Sequence, residues 1–284
     1  MMTRLAVISD IHGNYKALEA FLDYLKEHPA DGILCLGDYV TDSPYPQRTM
    51  ELFYRMQEQY PCFPVRGNRE EYLLENRKES KNWKPSSASG ALYYTDLNLT
   101  EKDMDFFGAL PGEREVVRKD CAPIYICHGT PGDIRGNVTL EEGLREQALR
   151  SVAQRYLFGG HSHHQESFRY QGKTYLNPGS LGLAIDGVGK KAQFAEVTAR
   201  GEEWEIELKS IPYDAEGFLR DFQKSGIEEY GMVLSRAVQK TLVTGINFFY
   251  LTILEAEKAS KETGIPFDRL PENVWEQIGK CLEL

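Results

Sequence analysis

Cysteine, long apolar runs and positive charge are all in short supply in this 284-residue chain. The five cysteines (Cys35, Cys62, Cys121, Cys127 and Cys281) are odd in number and form no Cys-x-x-Cys pair, which excludes a disulfide framework. The most lipid-like stretch, residues 246–254, contains Asn247 and is about half as long as a spanning helix requires. Near the start, only residues 5–8 form an apolar run before Asp10, so no secretory segment is expected. A reduced, cytoplasmic protein that does not enter a membrane is the simple reading. Charge is lopsided: 33 Lys and Arg against 43 Asp and Glu leave −10. That balance argues against a general grip on long nucleic acid or an anionic membrane. A small phosphorylated substrate stays open, because bound metal ions can supply positive charge locally.

What is present fits an ordinary globular protein, with 41% apolar residues and a length that suggests about two domains. Short β-rich runs alternate with helical stretches through the first two-thirds. Strands are expected near residues 5–9, 32–36 and 62–65, with helices over 14–27, 46–59 and from Glu70 onward. Thr100 and Asp103 read as a capping box that opens another helix. Strands then follow at 113–118, 123–127, 155–158, 166–170, 173–176, 191–197 and 204–208, with a helix at 140–151 and a Gly-rich loop at 179–189. Beyond Pro212 the pattern predicts helices only: 215–223, one long helix over about 227–259, and 271–282. The expected organisation is an α/β core, residues 1–212, with a C-terminal helical appendage, residues 213–284. The aromatic stretch 246–250 is expected to pack onto the core, as are Tyr93 and Tyr94 after the loop 84–90.

Of six histidines, five follow directly on apolar β-runs: His12, His128, His161, His163 and His164. Two further strand ends carry Gly37-Asp38 and Gly67-Asn68. Ligands of α/β sheets collect outside the carboxyl ends of strands, so these tips are expected to converge on one crevice. Positions i and i+2 on extended backbone point the same way, making Asp10/His12 and His161/His163 two-pronged ligand pairs. Carboxylates, imidazoles and one amide oxygen suit manganese, iron or zinc. Seven candidates, Asp10, His12, Asp38, Asn68, His128, His161 and His163, are too many for one ion but suit two that share a carboxylate, with Asp38 as the bridge.

The segments Asp10-Ile-His12-Gly13-Asn14, Gly37-Asp38, Gly67-Asn68, His128-Gly129 and Gly160-His161-Ser162-His163 resemble, in order, the motifs of the calcineurin-like metallophosphoesterases. The similarity extends from about Leu5 to Asp214 and is greatest to the bacterial branch related to diadenosine tetraphosphatases and small phosphodiesterases. The resemblance implies a four-layer α/β/β/α sandwich. It implies one ion held by Asp10, His12, Asp38 and His163, and a second by Asp38, Asn68, His128 and His161. Catalysis would involve Asn68, Arg69 and His128 through attack of a metal-bridging hydroxide, and Asn14, Arg69 and His164 would contact substrate.

One position departs from the pattern. Many members carry His after the Gly-Asn pair, where this chain has Arg69. A guanidinium clamps phosphate oxygens but is a poor proton donor. Leaving groups that depart unprotonated, such as nucleotide phosphates, therefore suit it best, with His164 as a candidate donor for others. The expected function is a cytoplasmic, dinuclear metal-dependent phosphoesterase acting on phosphodiester or phosphoanhydride bonds of a nucleotide or dinucleoside polyphosphate. A catalytically silent scaffold on the same fold, or a protein phosphatase, are the alternatives.

Overall fold

The computed structural model describes residues 3–79, 83–138 and 143–284. The chain first lays down β1 (Arg4–Ile8), α1 (Tyr15–Glu27), β2 (Gly32–Cys35), α2 (Pro46–Gln59), β3 (Cys62–Pro64) and α3 (Asn68–Glu79). Two helices, α4 (Gly90–Leu97) and α5 (Glu101–Ala109), lead to β4 (Glu113–Val116), β5 (Ile124–Cys127), α6 (Leu144–Ser151) and β6 (Tyr156–Phe158). Strands β7 (Gln165–Tyr170), β8 (Lys173–Pro178), β9 (Lys191–Arg200) and β10 (Glu203–Pro212) complete the strand-rich part. Helices α7 (Ala215–Ser225), α8 (Ile227–Thr244), α9 (Phe248–Thr263) and α10 (Glu272–Cys281) follow. Residues 140–142 of the expected helix 140–151 lie outside the described residues.

Two five-stranded mixed sheets result, in the orders β10-β9-β1-β2-β3 and β4-β5-β6-β8-β7. Alternation along the strands explains the layering. In β1, Leu5 and Val7 face the second sheet, within a core that includes Leu34, Ile124, Phe158 and Trp204. Ala6 and Ile8 point the other way, into a core with Leu18, Phe21, Phe53 and Phe194. On the far side, Ala148 and Leu149 of α6 cover Leu157 and Tyr175. The central strands β1, β2 and β6 are thus apolar on both faces, as a helix-covered sheet requires, and the α/β/β/α sandwich is formed. Trp204 joins the sheets by donating its Nε1–H to the Ala122 carbonyl at 2.9 Å.

Helix ends follow local chemistry. Asn14 caps α1, its Oδ1 accepting from the Ala17 amide at 3.0 Å. The Thr100/Asp103 capping box forms at the start of α5. The single helix expected over 227–259 is instead two. Gly245, at φ 70, ends α8, and Asn247 starts α9 by accepting the Tyr250 amide at 3.0 Å. A glycine C-cap and an asparagine N-cap two residues apart outweigh the continuous apolar pattern across them. The break turns α9 so that part of its aromatic end meets the strand tips. Among the described residues, no helix is long and apolar enough to cross a membrane.

Candidate metal centre and adjoining cavity

Register sets the strand tips level. Ile8 pairs with Cys35 and Cys35 with Pro64 in parallel ladders, so the loops after β1, β2 and β3 leave from one edge. The first two keep bonding beyond the strands: the Asp10, His12 and Gly13 amides donate to the carbonyls of Gly37, Asp38 and Tyr39 at 3.0–3.1 Å. Gly37 adopts φ +96, and a Cβ there would lie 2.6 Å from the Gly67 nitrogen. A Cβ on Gly67 would collide with the carboxylate and amide of Asp38. Two glycines packed backbone to backbone are therefore what lets Asp38 and Asn68 share a site.

Asp10, His12, Asp38, His161 and His163 all have positive φ, between 47° and 63°. Each such residue costs about 1–3 kcal/mol, and the surroundings must overdetermine it. Here Ser180 does so by donating to the Asp10 carbonyl at 2.7 Å, and Asn177 by donating to the Gly160 carbonyl and the Ser162 hydroxyl at 2.7 and 2.9 Å.

Two of the imidazoles are held by Nδ1. His128 Nδ1 donates to the Leu36 carbonyl at 2.7 Å and His163 Nδ1 to that of Leu183 at 2.8 Å. His12 Nδ1 faces Asp42 Oδ2 at 3.4 Å. The two carbonyls assign the Nδ1–H tautomer to His128 and His163 and leave their Nε2 as the free donor atom, whereas His12 Nδ1 makes no hydrogen bond. His12 Nε2 then lies 3.0 Å from His163 Nε2, and His128 Nε2 lies 3.0 Å from Asn68 Oδ1. An intervening proton or cation satisfies both contacts.

The carboxylates repeat the theme. Asp10 is fully buried; its Oδ2 accepts the His161 amide at 3.0 Å, while its Oδ1 has no hydrogen-bond partner. That orphaned oxygen faces Nε2 of His163, His12 and His128 at 3.3, 3.7 and 4.0 Å. Asp38 presents Oδ2 to His12 Nε2 at 3.7 Å and Oδ1 to His128 Nε2 at 3.4 Å. Two three-residue groups, Asp10/His12/His163 and Asp10/Asp38/His128, bring their donor atoms close enough to hold an ion. His161 stands beside His128, ring centroids 5.2 Å apart. Hard and borderline donors, an unpartnered buried carboxylate oxygen and tethered imidazoles fit divalent cations. Burial opposes charge on His12 and His128, but Asp10, Asp42 and Asp38 outweigh it and raise each to about 9. Burial and the nearby His128 instead lower His161 to about 4.

Arg69 does not pair with its helix neighbours. Its guanidinium lies 3.1 Å from Asp42 Oδ2 and over the Phe249 ring at 5.4 Å. Glu70 turns inward, fully buried, and accepts the amides of Asp38, Gly67 and Tyr39 at 3.0, 2.9 and 2.8 Å. Burial and the Asp38 charge push its carboxyl up to about 7, although those three N–H donors favour the ionised form. Sequence reasoning missed both Asp42 and Glu70. Their only signal was proximity to Asp38 and Asn68 in a chain rich in acidic residues.

These residues floor a cavity of about 450 Å³ whose lining includes His12, Asp38, Asn68, Arg69, His161 and His163. His164 stands at its rim, half exposed, with Nδ1 2.8 Å from Asp186 Oδ1, a contact that raises its pKa. Asn14 is elsewhere: it is fully buried, and its amide is spent on capping α1 and donating to the Gly182 carbonyl at 2.8 Å. The expected substrate contact there gives way to a structural clamp. The aromatic stretch 246–250 is a second correction, because Asn247, Phe249 and Tyr250 line the cavity instead of serving only as packing.

Residues 3–200 match the calcineurin-like phosphoesterase superfamily domain. An uncharacterized protein of Methanocaldococcus jannaschii is 28% identical, across 80% of this chain and 94% of its own. Two solved structures share the fold at 20% identity. A metallophosphoesterase from Sphaerobacter thermophilus superposes with a TM-score of 0.65, covering 87% of this chain and 100% of that one. A hypothetical protein of Pyrococcus horikoshii OT3 gives 0.71, covering 86% and 99%. With the ordered motifs brought together at one edge of a paired-sheet sandwich, and most of the chain matched, this protein belongs to the calcineurin-like phosphoesterase superfamily.

Proposed function

We propose that the chain is a dinuclear metal-dependent phosphoesterase that hydrolyses phosphodiester or phosphoanhydride bonds of a nucleotide or dinucleoside polyphosphate. The observation that carries this reading is the buried, unpartnered Asp10 Oδ1 ringed by three imidazole nitrogens, with the rings of His128 and His163 tethered through Nδ1 to backbone carbonyls. Asp10, His12, Asp38 and His163 would hold one ion; Asp38, Asn68, His128 and His161 would hold the other. The two oxygens of Asp38 face different imidazoles, which suits a shared ligand. The Arg69 amide, 2.8 Å from Asp38 Oδ1, fixes the orientation of that carboxylate. When bound, two divalent ions supply positive charge to phosphoryl oxygens and lower the pKa of water.

The protein's own groups supply the rest. Arg69 borders the cavity with its guanidinium already desolvated against Phe249, so it can exchange Asp42 for a phosphate oxygen while staying charged. His164, with its imidazolium favoured by Asp186, borders the cavity and would be the group to release a proton to a leaving group. Arg69 itself cannot donate, so leaving groups that depart unprotonated should turn over fastest, and alkyl phosphomonoesters, which would depend on His164 alone, slowest.

The test is hydrolysis by chelated protein after manganese is restored. The substrates are bis-p-nitrophenyl phosphate, p-nitrophenyl phosphate, diadenosine tetraphosphate and glycerol phosphate. Manganese-dependent cleavage of the diester or the dinucleotide, with glycerol phosphate slowest, is expected. Neither cleavage nor metal binding would favour a silent scaffold, and rapid glycerol phosphate turnover would remove the clamp argument.

A further inference from the structure

Beside the metal-centre cavity lies a second one, of about 360 Å³, within the range of roughly 300–1,000 Å³ that holds small ligands. The two cavities share Arg69, Tyr72, Phe249, Ile253 and Glu257. The remaining wall of the second comes from the loop and helix around α4, with Trp83, Ser87, Leu92 and others, and from Leu234 and Phe267 of the C-terminal helical region. Apart from Arg69, its lining lies outside the sequence motifs; separate segments meet there only in the folded chain.

The wall is preformed. Helix α8 breaks its regular path at Met232, at φ 43, which frees a carbonyl and an amide near the kink. Ser86 donates its amide to the Tyr230 carbonyl at 2.9 Å, and the Val233 amide donates to Ser87 Oγ at 3.2 Å. Ser87 in turn donates its amide and hydroxyl to the two Glu272 oxygens at 2.9 and 2.7 Å. The loop before α4 is thus tied to α8 and α10 by bonds that the helix break makes available.

The composition of the cavity points to its occupant. Trp83, Tyr72 and Phe249 line it with aromatic surface suited to a flat group. Arg69 stands at the boundary with the metal centre, already paired with Asp42, and would meet the phosphate end. Glu257 is exposed and is paired with no cation among the described residues. A carboxylate can only accept, so it favours an edge bearing adjacent N–H donors. A lipid or alkyl chain would use neither Glu257 nor Arg69, and a cationic head would sit against Arg69.

We propose that this side cavity is the base subsite for a nucleotide whose phosphate lies at the metal centre, with Trp83 and Phe249 stacking the base. Glu257 selects a guanine-type edge, whose ring N–H and exocyclic amine it accepts together. The placement of the phosphate rests on the phosphoesterase reading; the base subsite does not.

The chain has three tryptophans, and Trp204 and Trp275 are buried, so Trp83 is the one whose fluorescence a ligand in this cavity would quench. The experiment titrates GMP, IMP and guanosine into the full chain with manganese, following tryptophan fluorescence, with equilibrium dialysis as an independent measure. IMP differs from GMP only by the exocyclic amine. GMP should bind about tenfold more tightly than IMP, the value of roughly one charge-assisted hydrogen bond. Glu257→Gln should erase most of that gap, and Trp83→Phe should abolish the quenching while dialysis still detects binding. Guanosine should also quench, weakly and without manganese. Equal binding of GMP and IMP, or a gap that survives Glu257→Gln, overturns the role of Glu257. Nucleotide binding by neither measure, alongside manganese-dependent cleavage of bis-p-nitrophenyl phosphate, overturns the base subsite and leaves the phosphoesterase reading standing. Guanosine binding without any cleavage does the reverse.

Discussion

On the strand-tip side of the cavity, buried carboxylates and imidazoles sit on positive-φ backbone, and Asp10 Oδ1 lacks any hydrogen-bond partner. On the α9 side, Phe249, Tyr250, Ile253 and Glu257 project from one regular helix whose start is capped by Asn247. The first wall accepts local strain and unbalanced charge to aim donor atoms at common points. The second is locally relaxed and half solvated, and what it contributes is shape. Affinity for an ion needs atoms placed within a few tenths of an ångström, whereas reception of a flat organic group needs mainly complementary surface.

That contrast can be broken at several points. Asp38→Asn should have the largest effect, since it removes the carboxylate whose oxygens face both imidazole sets. Loss of several kcal/mol of charge stabilisation corresponds to a fall on the order of 10³-fold in manganese-dependent hydrolysis, read by steady-state kinetics. A variant retaining wild-type rates would dismantle the strand-tip wall as a reaction site.

pH should divide stability from metal affinity. His12 and His128 titrate near 9 in the chelated fold against 6.5 for an unperturbed side chain: burial opposes their charge, but Asp10, Asp42 and Asp38 outweigh it. A raised histidine pKa contributes stability that is complete below 6.5 and lost as pH climbs through about 9. Calorimetry in chelator should therefore show Tm falling across that window. Manganese affinity should rise over the same range, by up to about a hundredfold per pH unit if two protons are displaced. Parallel trends in the two measurements would contradict this arrangement.

Glu70→Gln sharpens the comparison, because it leaves every donor atom in place. The amide side chain would set its NH₂ against backbone N–H groups that Glu70 now serves as acceptor. Manganese affinity should drop roughly tenfold or more, and stability by about 1–3 kcal/mol. The smallest effect belongs just before α9, outside both walls. Ile246→Ser, at a residue 52% exposed, should change stability by no more than about 0.5 kcal/mol in denaturant titration.

Much of the strand-tip wall is legible in the sequence, since each donor follows directly on an apolar β-run and strand ends in such sheets share an edge. Asp10, His12, Asp38, Asn68, His128, His161 and His163 converge for that reason. Asn14 was less legible, because a residue that caps a helix and one that touches a ligand look alike in one dimension. Asp42 and Glu70 carry no signal beyond their nearness to Asp38 and Asn68, because their roles depend on where a carboxylate points, inward toward backbone amides or His12, instead of outward to water. The break at Gly245–Asn247 was hidden by apolar periodicity running across it.

The sequence by itself determined the alternation of strands and helices, the apolar faces that build the sandwich, and the donor types waiting at the strand tips. These follow from period, propensity and residue chemistry, all of them local. Only the tertiary structure decided which imidazole nitrogen is free, that Arg69 lies between Asp42 and Phe249, and that α9 and the loop before α4 close a second cavity. Such features depend on distances between segments up to two hundred residues apart, which packing sets and no local pattern encodes.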